Sequence, residues 1–346
     1  MSQTNAYAAQ APTAPLAPFQ LERRAAGPHD VQIQILYCGV CHSDVHQARD
    51  EWGGSTFPMV PGHEIVGRVT EVGREVGKFQ AGDLVGVGCM VDTCRTCPNC
   101  QDGLEQYCET HISFTYNSTL QDRQTRTHGG YSQQIVVDEN YVLRVSDRLP
   151  LAGVAPLLCA GITTYSPLKH WQAGPGKRVG VVGLGGLGHM AVKLGAAMGA
   201  EITVLSTSPA KEADARALGA HRFVVTRDAA LKQERNYFDL IINTVGSNID
   251  LNPYLTLLRL DGTMVMVGLP PTPPQVGIFP LVGQRRRLAG SHIGGIAETQ
   301  EMLDFCAEHG IVSDVEVIPM SYINEAYERM LRSDVKYRFV IDLATL

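Results

Sequence analysis

The chain lacks the features that would place it in a membrane or on nucleic acid. It has no apolar run long enough to cross a bilayer. Its longest basic run is the triplet Arg285, Arg286 and Arg287, and its formal net charge is −6. A nucleic-acid partner requires a concentrated basic face. We therefore expect neither a membrane nor a nucleic acid as a partner.

The first 19 residues are not expected to form a targeting segment. Residues 1–19 are rich in Ala and Pro, without the basic region and apolar core of a signal peptide. The nine cysteines are then expected to be thiols and metal ligands in a reducing compartment, the cytoplasm, rather than disulfides. Cys38, Cys89 and Cys306 are expected to be small, buried core residues.

The composition fits two globular domains, with 346 residues, 44% hydrophobic and 18% charged. The first half alternates apolar and polar residues at period two, as in 31–36 and 65–72, and dense turn signals predict a barrel-like β-rich domain. From Arg178 onward strands and helices alternate, which predicts a doubly wound parallel sheet. We predict one domain from 1–153 with 293–346 and a second from 154–292. The predicted elements are strands at 178–183, 201–206, 238–243, 262–267 and 338–342, helices at 154–173, 187–198, 209–218 and 298–309, and a loop at 110–130.

Four cysteines form the run Cys-x2-Cys-x2-Cys-x7-Cys. Four thiolates make a closed tetrahedral shell, which is typical of structural zinc with no position open for chemistry. The spacing therefore predicts a structural zinc lobe over residues 89–110, with the ligands Cys94, Cys97, Cys100 and Cys108.

A second metal set lies outside this lobe. Cys41, the pair His63-Glu64 and Cys159 provide two thiols and an imidazole. Such a shell leaves a fourth position for water or substrate, the arrangement known from the catalytic zinc of alcohol dehydrogenase. A single cysteine in an apolar run, as at Cys159, is by default a buried structural thiol. The set functions together only if the fold brings its members into contact.

A glycine-rich turn follows the predicted strand at 178–183 and begins the next helix. In dinucleotide sites the first glycine of such a turn permits the bend, the second lets the backbone approach the pyrophosphate, and the last permits close packing of helix and strand. The free N–H groups of the helix then face the phosphates. The context predicts a dinucleotide site with the residues Gly183, Gly185, Gly186, Leu187 and Gly188.

The end of the next strand lacks the acid that NAD sites place about 20 residues after the glycine motif. Ser206, Thr207 and Ser208 supply hydroxyl and N–H groups there, and Lys211 supplies a cation. This set suits a 2′-phosphate and predicts NADP(H). The serines would also serve as a cap for a helix that begins at Pro209.

Six motifs together resemble the zinc-containing medium-chain dehydrogenase/reductase family over nearly the whole chain. They are most similar to its cinnamyl-alcohol-dehydrogenase branch and, within it, to bacterial broad-range NADPH-dependent aldehyde reductases. The motifs are Cys-His-Ser-Asp-Val-His at 41–46, Pro-Gly-His-Glu-Ile-Val-Gly at 61–67, the four-cysteine lobe, Leu-Leu-Cys-Ala-Gly-Ile-Thr-Thr-Tyr at 157–165, Gly-Leu-Gly-Gly-Leu-Gly-His at 183–189 and Lys-Tyr-Arg-Phe-Val at 336–340.

The resemblance implies a GroES-like zinc domain, a Rossmann domain, two zinc ions per chain and a homodimer formed by edge pairing of the nucleotide-binding sheets. It implies that Cys41, His63 and Cys159 bind catalytic zinc, with Glu64 beside it either as an occasional ligand or as a residue that contacts the ligands. Ser43 and His46 would then form a proton relay that reaches solvent through the nicotinamide ribose. Trp52 and Phe114 would line the substrate cleft, Thr163 would contact the cofactor, and Asp44 would be a carboxylate behind the metal ligands.

Three functions fit these observations. The first is zinc-dependent, NADPH-linked reduction of aliphatic and aromatic aldehydes to primary alcohols, reversible as an alcohol dehydrogenase. The second is NAD-linked alcohol oxidation, which the missing acid near Ser206 disfavours. The third is a protein that binds zinc and nucleotide without catalysis, which the intact Cys41, Ser43, His63 and Cys159 disfavour.

Overall fold

The computed structural model describes residues 2–227 and 229–346, which form two units. One unit contains the chain up to Cys159 together with Gly294–Leu346, and the other contains Ala160–Ile293. No single helix in the described ranges is long and apolar enough to cross a membrane, and one consecutive pair, Leu151–Leu158 with Ala160–His170, passes that test only when taken together.

The elements follow one another in three stretches of chain. Up to Cys159 they are β1 (Ser2–Ala8), β2 (Ala17–Arg23), β3 (Asp30–Gly39), α1 (His42–Ala48), β4 (Ile65–Val72), β5 (Leu84–Val87), β6 (Met90–Thr93), α2 (Pro98–Gln101), β7 (Ile112–Phe114), β8 (Gln134–Asp138), β9 (Leu143–Arg144) and α3 (Leu151–Val154), with 3-10 turns at Glu105–Tyr107, Glu139–Tyr141 and Ala155–Leu158. The second unit contains α4 (Ala160–His170), β10 (Arg178–Val182), α5 (Gly186–Ala197), β11 (Glu201–Ser206), the 3-10 turn Pro209–Lys211, α6 (Glu212–Ala217), β12 (Arg222–Val225), α7 (Ala229–Gln233), β13 (Phe238–Asn243), α8 (Asn252–Leu255), β14 (Leu258–Met266), α9 (Ile278–Val282) and β15 (Arg287–Gly290). The last stretch contains α10 (Ile296–His309), β16 (Val315–Pro319), the 3-10 turn Met320–Tyr322, α11 (Ile323–Leu331), β17 (Arg338–Asp342) and the 3-10 turn Leu343–Thr345.

The first unit is built on a seven-stranded sheet with the path β16-β17-β3-β4-β5-β9, and β8 also pairs with β3. All pairs in it are antiparallel except β16 with β17. The alternation predicted at 31–36 and 65–72 places Val31, Ile33 and Ile35 in the core, because every second side chain of a strand points to the same face. The predicted β-rich domain is confirmed.

The second unit is built on a six-stranded sheet with the order β12-β11-β10-β13-β14-β15, and every neighbouring pair is parallel. Helices α4 to α8 pack against these strands and one another. This is the doubly wound order in which β10 lies at the point where the strand sequence reverses, and ligands of such sheets bind beyond the carboxyl ends of the strands at that point. The predicted parallel sheet is confirmed.

Several predicted helices begin or end differently in the structure. The helix predicted at 154–173 is interrupted at Cys159, whose backbone angles of φ −131° and ψ −70° leave the helical region. The helix predicted at 209–218 begins as a 3-10 turn, and the loop predicted at 110–130 includes β7. The first junction between the units lies after Cys159 rather than after Gly153, because the 3-10 turn Ala155–Leu158 contacts β3, β4, β5 and β17.

Candidate metal and nucleotide sites

The four cysteines of the predicted lobe converge between β6 and β7. Their sulfur atoms all lie within 4.8 Å of one another, and the Cys94 and Cys100 sulfurs are 3.9 Å apart. Zn–S bonds of about 2.3 Å in a tetrahedral shell place the sulfurs about 3.8 Å apart. The residues present therefore fit a closed zinc shell.

The hydrogen bonds around this cluster favour thiolates, although burial raises the pKa of Cys100 to about 12. Backbone N–H groups of Thr96 and Cys97 that point at the Cys94 sulfur lower the pKa of Cys94 to about 5. The Thr93 hydroxyl lies 3.2 Å from the Cys100 sulfur and 2.6 Å from the hydroxyl of Tyr141. Because the thiolate is the form that binds metal, these contacts prepare the cluster for a cation.

A second group brings together Cys41, His63, Glu64 and Cys159, with all ligand atoms within 4.8 Å of one another. Cys41 immediately precedes α1, and His63 lies just before β4. The sulfurs of Cys41 and Cys159 are 4.0 Å apart, again close to the spacing in a tetrahedral shell. Two thiols and a histidine in contact fit a catalytic zinc that keeps one position open.

The two thiols of this group differ in acidity. The hydrogen bond with Cys159, opposed by burial and assisted by the charge of Arg338, lowers the pKa of Cys41 well below the usual thiol value. The same hydrogen bond, a second one with Cys89, and burial raise the pKa of Cys159. Of the two thiols, Cys41 is therefore the one that loses its proton more readily.

Asp44 organises the group from behind. Its fully buried carboxylate lies 3.1 Å from His63 Nδ1 and accepts the backbone N–H groups of Cys41 (2.8 Å) and Gly62 (3.1 Å) and the Tyr131 hydroxyl (3.3 Å). The carboxylate fixes the imidazole with Nε2 left for a metal. Asp44 is also the third residue of α1 and closes a capping box with Cys41, so it joins the helix to the histidine.

Glu64 is held by Arg338, whose Nη2 donates to the Glu64 carboxylate. Both side chains are buried, and burial raises the pKa of Glu64 to about 7 although Arg338 acts in the opposite direction. The second carboxylate oxygen of Glu64 has no hydrogen-bond partner within the part of the chain that the structure describes. A Cβ at Gly39 would lie 1.9 Å from that oxygen, so only glycine leaves room for it.

The residues predicted as a proton relay lie together on α1. Ser43 Oγ lies 3.7 Å from the Cys41 sulfur. His46, three residues later, is on the same face of the helix. The Glu51 carboxylate contacts His46 Nδ1, and Trp52 stacks on the imidazole with ring centroids 5.0 Å apart. Glu51 thus fixes the ring of His46, a role that no sequence pattern indicated.

The surroundings of the ligands differ in part from the prediction. Tyr116 stacks on His63 with ring centroids 5.8 Å apart, and Phe114 lies two residues earlier at the end of β7. Cys38 and Cys306 are buried, as predicted, but Cys89 is not. The Cys89 thiol is half-buried, lies 3.8 Å from the Leu158 carbonyl oxygen and contacts Cys159, because β5 ends beside the 3-10 turn that carries the ligand.

The glycine-rich turn lies between β10 and α5 in the second unit. Gly183 has φ +89°, which glycine adopts without strain. A Cβ at Gly188 would lie 2.3 Å from the Gly183 carbonyl oxygen, and Gly185 is the N-cap of α5. Gly186 and Leu187 begin the helix, so their N–H groups face the turn at its positive end.

The residues predicted to select the cofactor lie at the end of the adjacent strand. Ser206 ends β11, and its hydroxyl oxygen accepts the Ser208 N–H at 3.3 Å. Lys211 reaches across to the glycine turn and donates to the Leu184 carbonyl at 2.9 Å. In the ranges described, the Ser208 side chain makes no capping hydrogen bond to the turn at Pro209. Thr163 is buried in the first turn of α4.

Sequence profiles identify both units. The alcohol dehydrogenase GroES-like domain matches residues 27–147, and the zinc-binding dehydrogenase domain matches 186–308. The chain is 60% identical to NADP-dependent alcohol dehydrogenase C 1 of Mycolicibacterium smegmatis, over 100% of this chain and 99% of the relative. It is 61% identical to aldehyde reductase YahK of Escherichia coli, over 96% of each.

The chain belongs to the zinc-binding alcohol dehydrogenase family. Within this family its fold is similar to that of a cinnamyl alcohol dehydrogenase from Sorghum bicolor, with a TM-score of 0.96, 46% identity and coverage of 99% of this chain and 98% of the other. The cinnamyl alcohol dehydrogenase of Helicobacter pylori, solved with NADP(H), has a TM-score of 0.93 at 45% identity over the same shares of the two chains. The resemblance and the GroES-like and Rossmann folds that it implied are confirmed.

Proposed function

We propose that this alcohol dehydrogenase reduces aliphatic and aromatic aldehydes to primary alcohols with NADPH at a zinc centre, and catalyses the reverse reaction. The observation that carries the proposal is the convergence of Cys41, His63 and Cys159 within 4.8 Å, with the Ser43 hydroxyl 3.7 Å from the Cys41 sulfur. The NADP-dependent alcohol dehydrogenase and aldehyde reductase relatives support the same reaction.

Two zinc ions have different roles. Cys94, Cys97, Cys100 and Cys108 hold the structural ion, whose closed shell leaves no position for a substrate. Cys41, His63 and Cys159 hold the catalytic ion, with Glu64 beside them and retained by Arg338. When bound, the catalytic zinc supplies the Lewis acid that polarises the carbonyl oxygen.

Ser43 supplies the proton that converts the substrate oxygen to a hydroxyl. His46 lies one helical turn further along the same face and connects Ser43 to solvent. Glu51 fixes His46 Nδ1, so that Nε2 is the nitrogen that exchanges protons. Trp52, stacked on His46, and Phe114 line the approach of the substrate in this proposal.

The second unit binds NADPH, which supplies the hydride. The N–H groups of the Gly183–Gly188 turn and of the α5 N-terminus bind the pyrophosphate. Ser206, Thr207, Ser208 and Lys211 bind the 2′-phosphate, and Thr163 contributes from α4. The absence of an acid at Ser206 disfavours the NAD-linked alternative, because an NAD site uses such an acid to bind the ribose hydroxyls.

NADPH and NADH consumption with a panel of aliphatic and aromatic aldehydes, together with zinc analysis, tests the proposal. We expect NADPH-dependent reduction of several members of both groups. Faster turnover with NADH would support the NAD-linked alternative. Bound zinc and nucleotide with no turnover of any aldehyde would support the non-catalytic one.

The parallel sheet provides a surface for a homodimer. β15 ends the sheet, so one side of this strand has no neighbour in the described ranges. The helix before it exposes Ile278, Phe279 and Val282, with Phe279 89% exposed. An unpaired edge beside exposed apolar side chains favours pairing with a second copy of the chain.

The free thiols support a reducing compartment, and we place the enzyme in the cytoplasm. All nine cysteines are unpaired in the structure. All nine lie in the first unit, where six of them belong to the two candidate metal groups. An oxidising compartment would convert such closely spaced thiols to disulfides. The only further partner that the proposal requires is the aldehyde or alcohol substrate.

A further inference from the structure

A cavity lies in the first unit, apart from the candidate metal ligands. It has a volume of about 400 Å³ and is bounded by the end of β2, by β8 and by the segment 115–128. None of the residues that line it belongs to either metal group. Its walls combine cationic side chains with an apolar floor formed by Val91, Leu120 and Ile135.

Arg23 places a buried positive charge against this cavity without a matching negative one. Its guanidinium donates to the carbonyl oxygens of Gln134 (2.9 Å), His128 (2.6 Å) and Gly129 (2.8 Å) and to the Ser132 hydroxyl (2.7 Å). All of these acceptors are neutral, and no carboxylate among the described residues forms an ion pair with Arg23. Burial and the adjacent Arg24 lower the pKa of Arg23 to about 9.

Two further arginines line the cavity. Arg24 is neutralised by Asp30, to which it donates two hydrogen bonds. Arg126 is exposed and donates to the carbonyl oxygens of Phe57 and Pro58, both at 3.3 Å. In the described part of the chain it has no carboxylate partner. Against these cations the lining contains a single carboxylate, Glu22.

His128 also lines the cavity, beside the charges of Arg23 and Arg126. Burial, followed by the charges of Arg23 and Arg126, lowers the pKa of His128 to about 4. Near neutral pH its imidazole is therefore uncharged and available as a hydrogen-bond partner. An anion in the cavity would compensate the charge of Arg23 and Arg126, and the interaction with the buried Arg23 would be screened less than in bulk water.

We propose that this cavity is a binding site for a small organic carboxylate. The charge of the ligand would pair with Arg126 and lie in the field of Arg23, and its apolar body would contact Val91, Leu120 and Ile135. Hydroxyls of Thr115, Thr125 and Thr127 are the remaining polar groups of the lining. The apolar floor and the presence of Glu22 favour a monoanion with a hydrocarbon part over inorganic phosphate. The proposal does not depend on the zinc chemistry.

Benzoate titrated into the zinc-loaded enzyme, followed by calorimetry, tests the site. Because a charge-assisted contact is lost, Arg126→Gln should weaken benzoate binding at least about tenfold, and Arg126→Glu further. Arg123→Gln is the matched control, since Arg123 is an exposed arginine three residues earlier and does not line the cavity. It should leave binding unchanged. All three variants should retain aldehyde reduction.

The alternatives give different results. Benzoate bound at the catalytic zinc would be insensitive to both arginine positions, and that result would overturn the proposal. Equal binding of inorganic phosphate or of neutral benzamide would overturn the assignment to a carboxylate with an apolar body. Absence of benzoate binding to the parent enzyme would overturn the site itself.

Discussion

In the first unit, the carboxylates of Asp44 and Glu51 position the side chains of the candidate site. Asp44 orients His63 and caps the helix that carries Ser43 and His46. Glu51 fixes the outer end of the same helix through His46. The proposed relay residues and the proposed metal ligand His63 are thus positioned by two carboxylates, the buried Asp44 and the exposed Glu51. Changes to single atoms in these side chains should alter turnover without unfolding the protein.

Ser43→Ala removes the hydroxyl that is proposed to donate the proton. We expect turnover to fall by about 100-fold or more, because a positioned general acid contributes about 10²–10⁴-fold. Zinc content and NADPH affinity should remain nearly unchanged. His46→Gln should have a milder effect, since water replaces the outer end of a relay. Steady-state kinetics of the two variants make the comparison, and parent-like turnover of Ser43→Ala would exclude the role.

Ser206→Asp places a carboxylate where the 2′-phosphate is proposed to bind. A phosphate monoester carries about two negative charges near neutral pH, so the acid would repel it and accept the ribose hydroxyls of NADH. Each lost charge-assisted contact corresponds to about 1.5–3 kcal/mol, so the NADPH-to-NADH preference should shift by at least about tenfold. The Michaelis constants for both cofactors measure it. An unchanged ratio, or equal use of both by the parent enzyme, would contradict this assignment.

Local sequence patterns predicted the bounds of an element well where a single spacing of apolar residues covers the whole element. β4, β11, β13 and β17 have the bounds that their patterns indicated. Sequence patterns predicted the end of an element poorly where packing against other parts of the fold decides that end. Cys159 interrupts the predicted helix because the preceding 3-10 turn packs on the first unit.

Local sequence patterns could not predict contacts between residues that are far apart in the chain. Arg338 was part of a recognised motif, yet its partner Glu64 is 274 positions away. Glu51 follows α1 and has no periodicity that would connect it to His46. Tyr116, which no sequence motif indicated, stacks on His63. Each of these pairings is decided by tertiary packing.

The zinc lobe is an element whose fold depends on its metal. Between β6 and β7 it contains only the short helix α2 and one 3-10 turn. Structural zinc contributes folding free energy directly. Cys97→Ala should therefore lose one zinc and lower the melting temperature. Cys306→Ala is the control, because this buried thiol contacts Met302 and no metal group. Unchanged melting of Cys97→Ala would show that the lobe does not need its ion.

The unpaired edge of the parallel sheet leads to a separate prediction about the proposed homodimer. Phe279→Glu places a charge in the exposed apolar cluster before β15 and should convert a dimer to a monomer in analytical ultracentrifugation. Leu331→Glu changes another exposed apolar residue, 42% exposed, in the other unit and should leave the dimer intact. A parent enzyme that sediments as a monomer would refute edge pairing.

At the scale of the whole molecule, the two units divide the proposed reaction between them. The first contains both candidate metal groups, and the second contains the glycine-rich turn and the residues proposed to select the cofactor. The carboxyl ends of β10 and β11 place the turn and Ser206 at the point where the strand order reverses. The account requires two zinc ions of different function in one chain.

Zinc analysis of the parent enzyme and of Cys159→Ala tests this requirement most directly. The account predicts two zinc ions per chain in the parent, and one in Cys159→Ala with loss of activity and a retained fold by circular dichroism. Cys89→Ala is the matched control, because its thiol contacts Cys159 but lies outside the ligand set, and it should keep both ions. One zinc per chain in the active parent enzyme, or two in Cys159→Ala, would contradict the account.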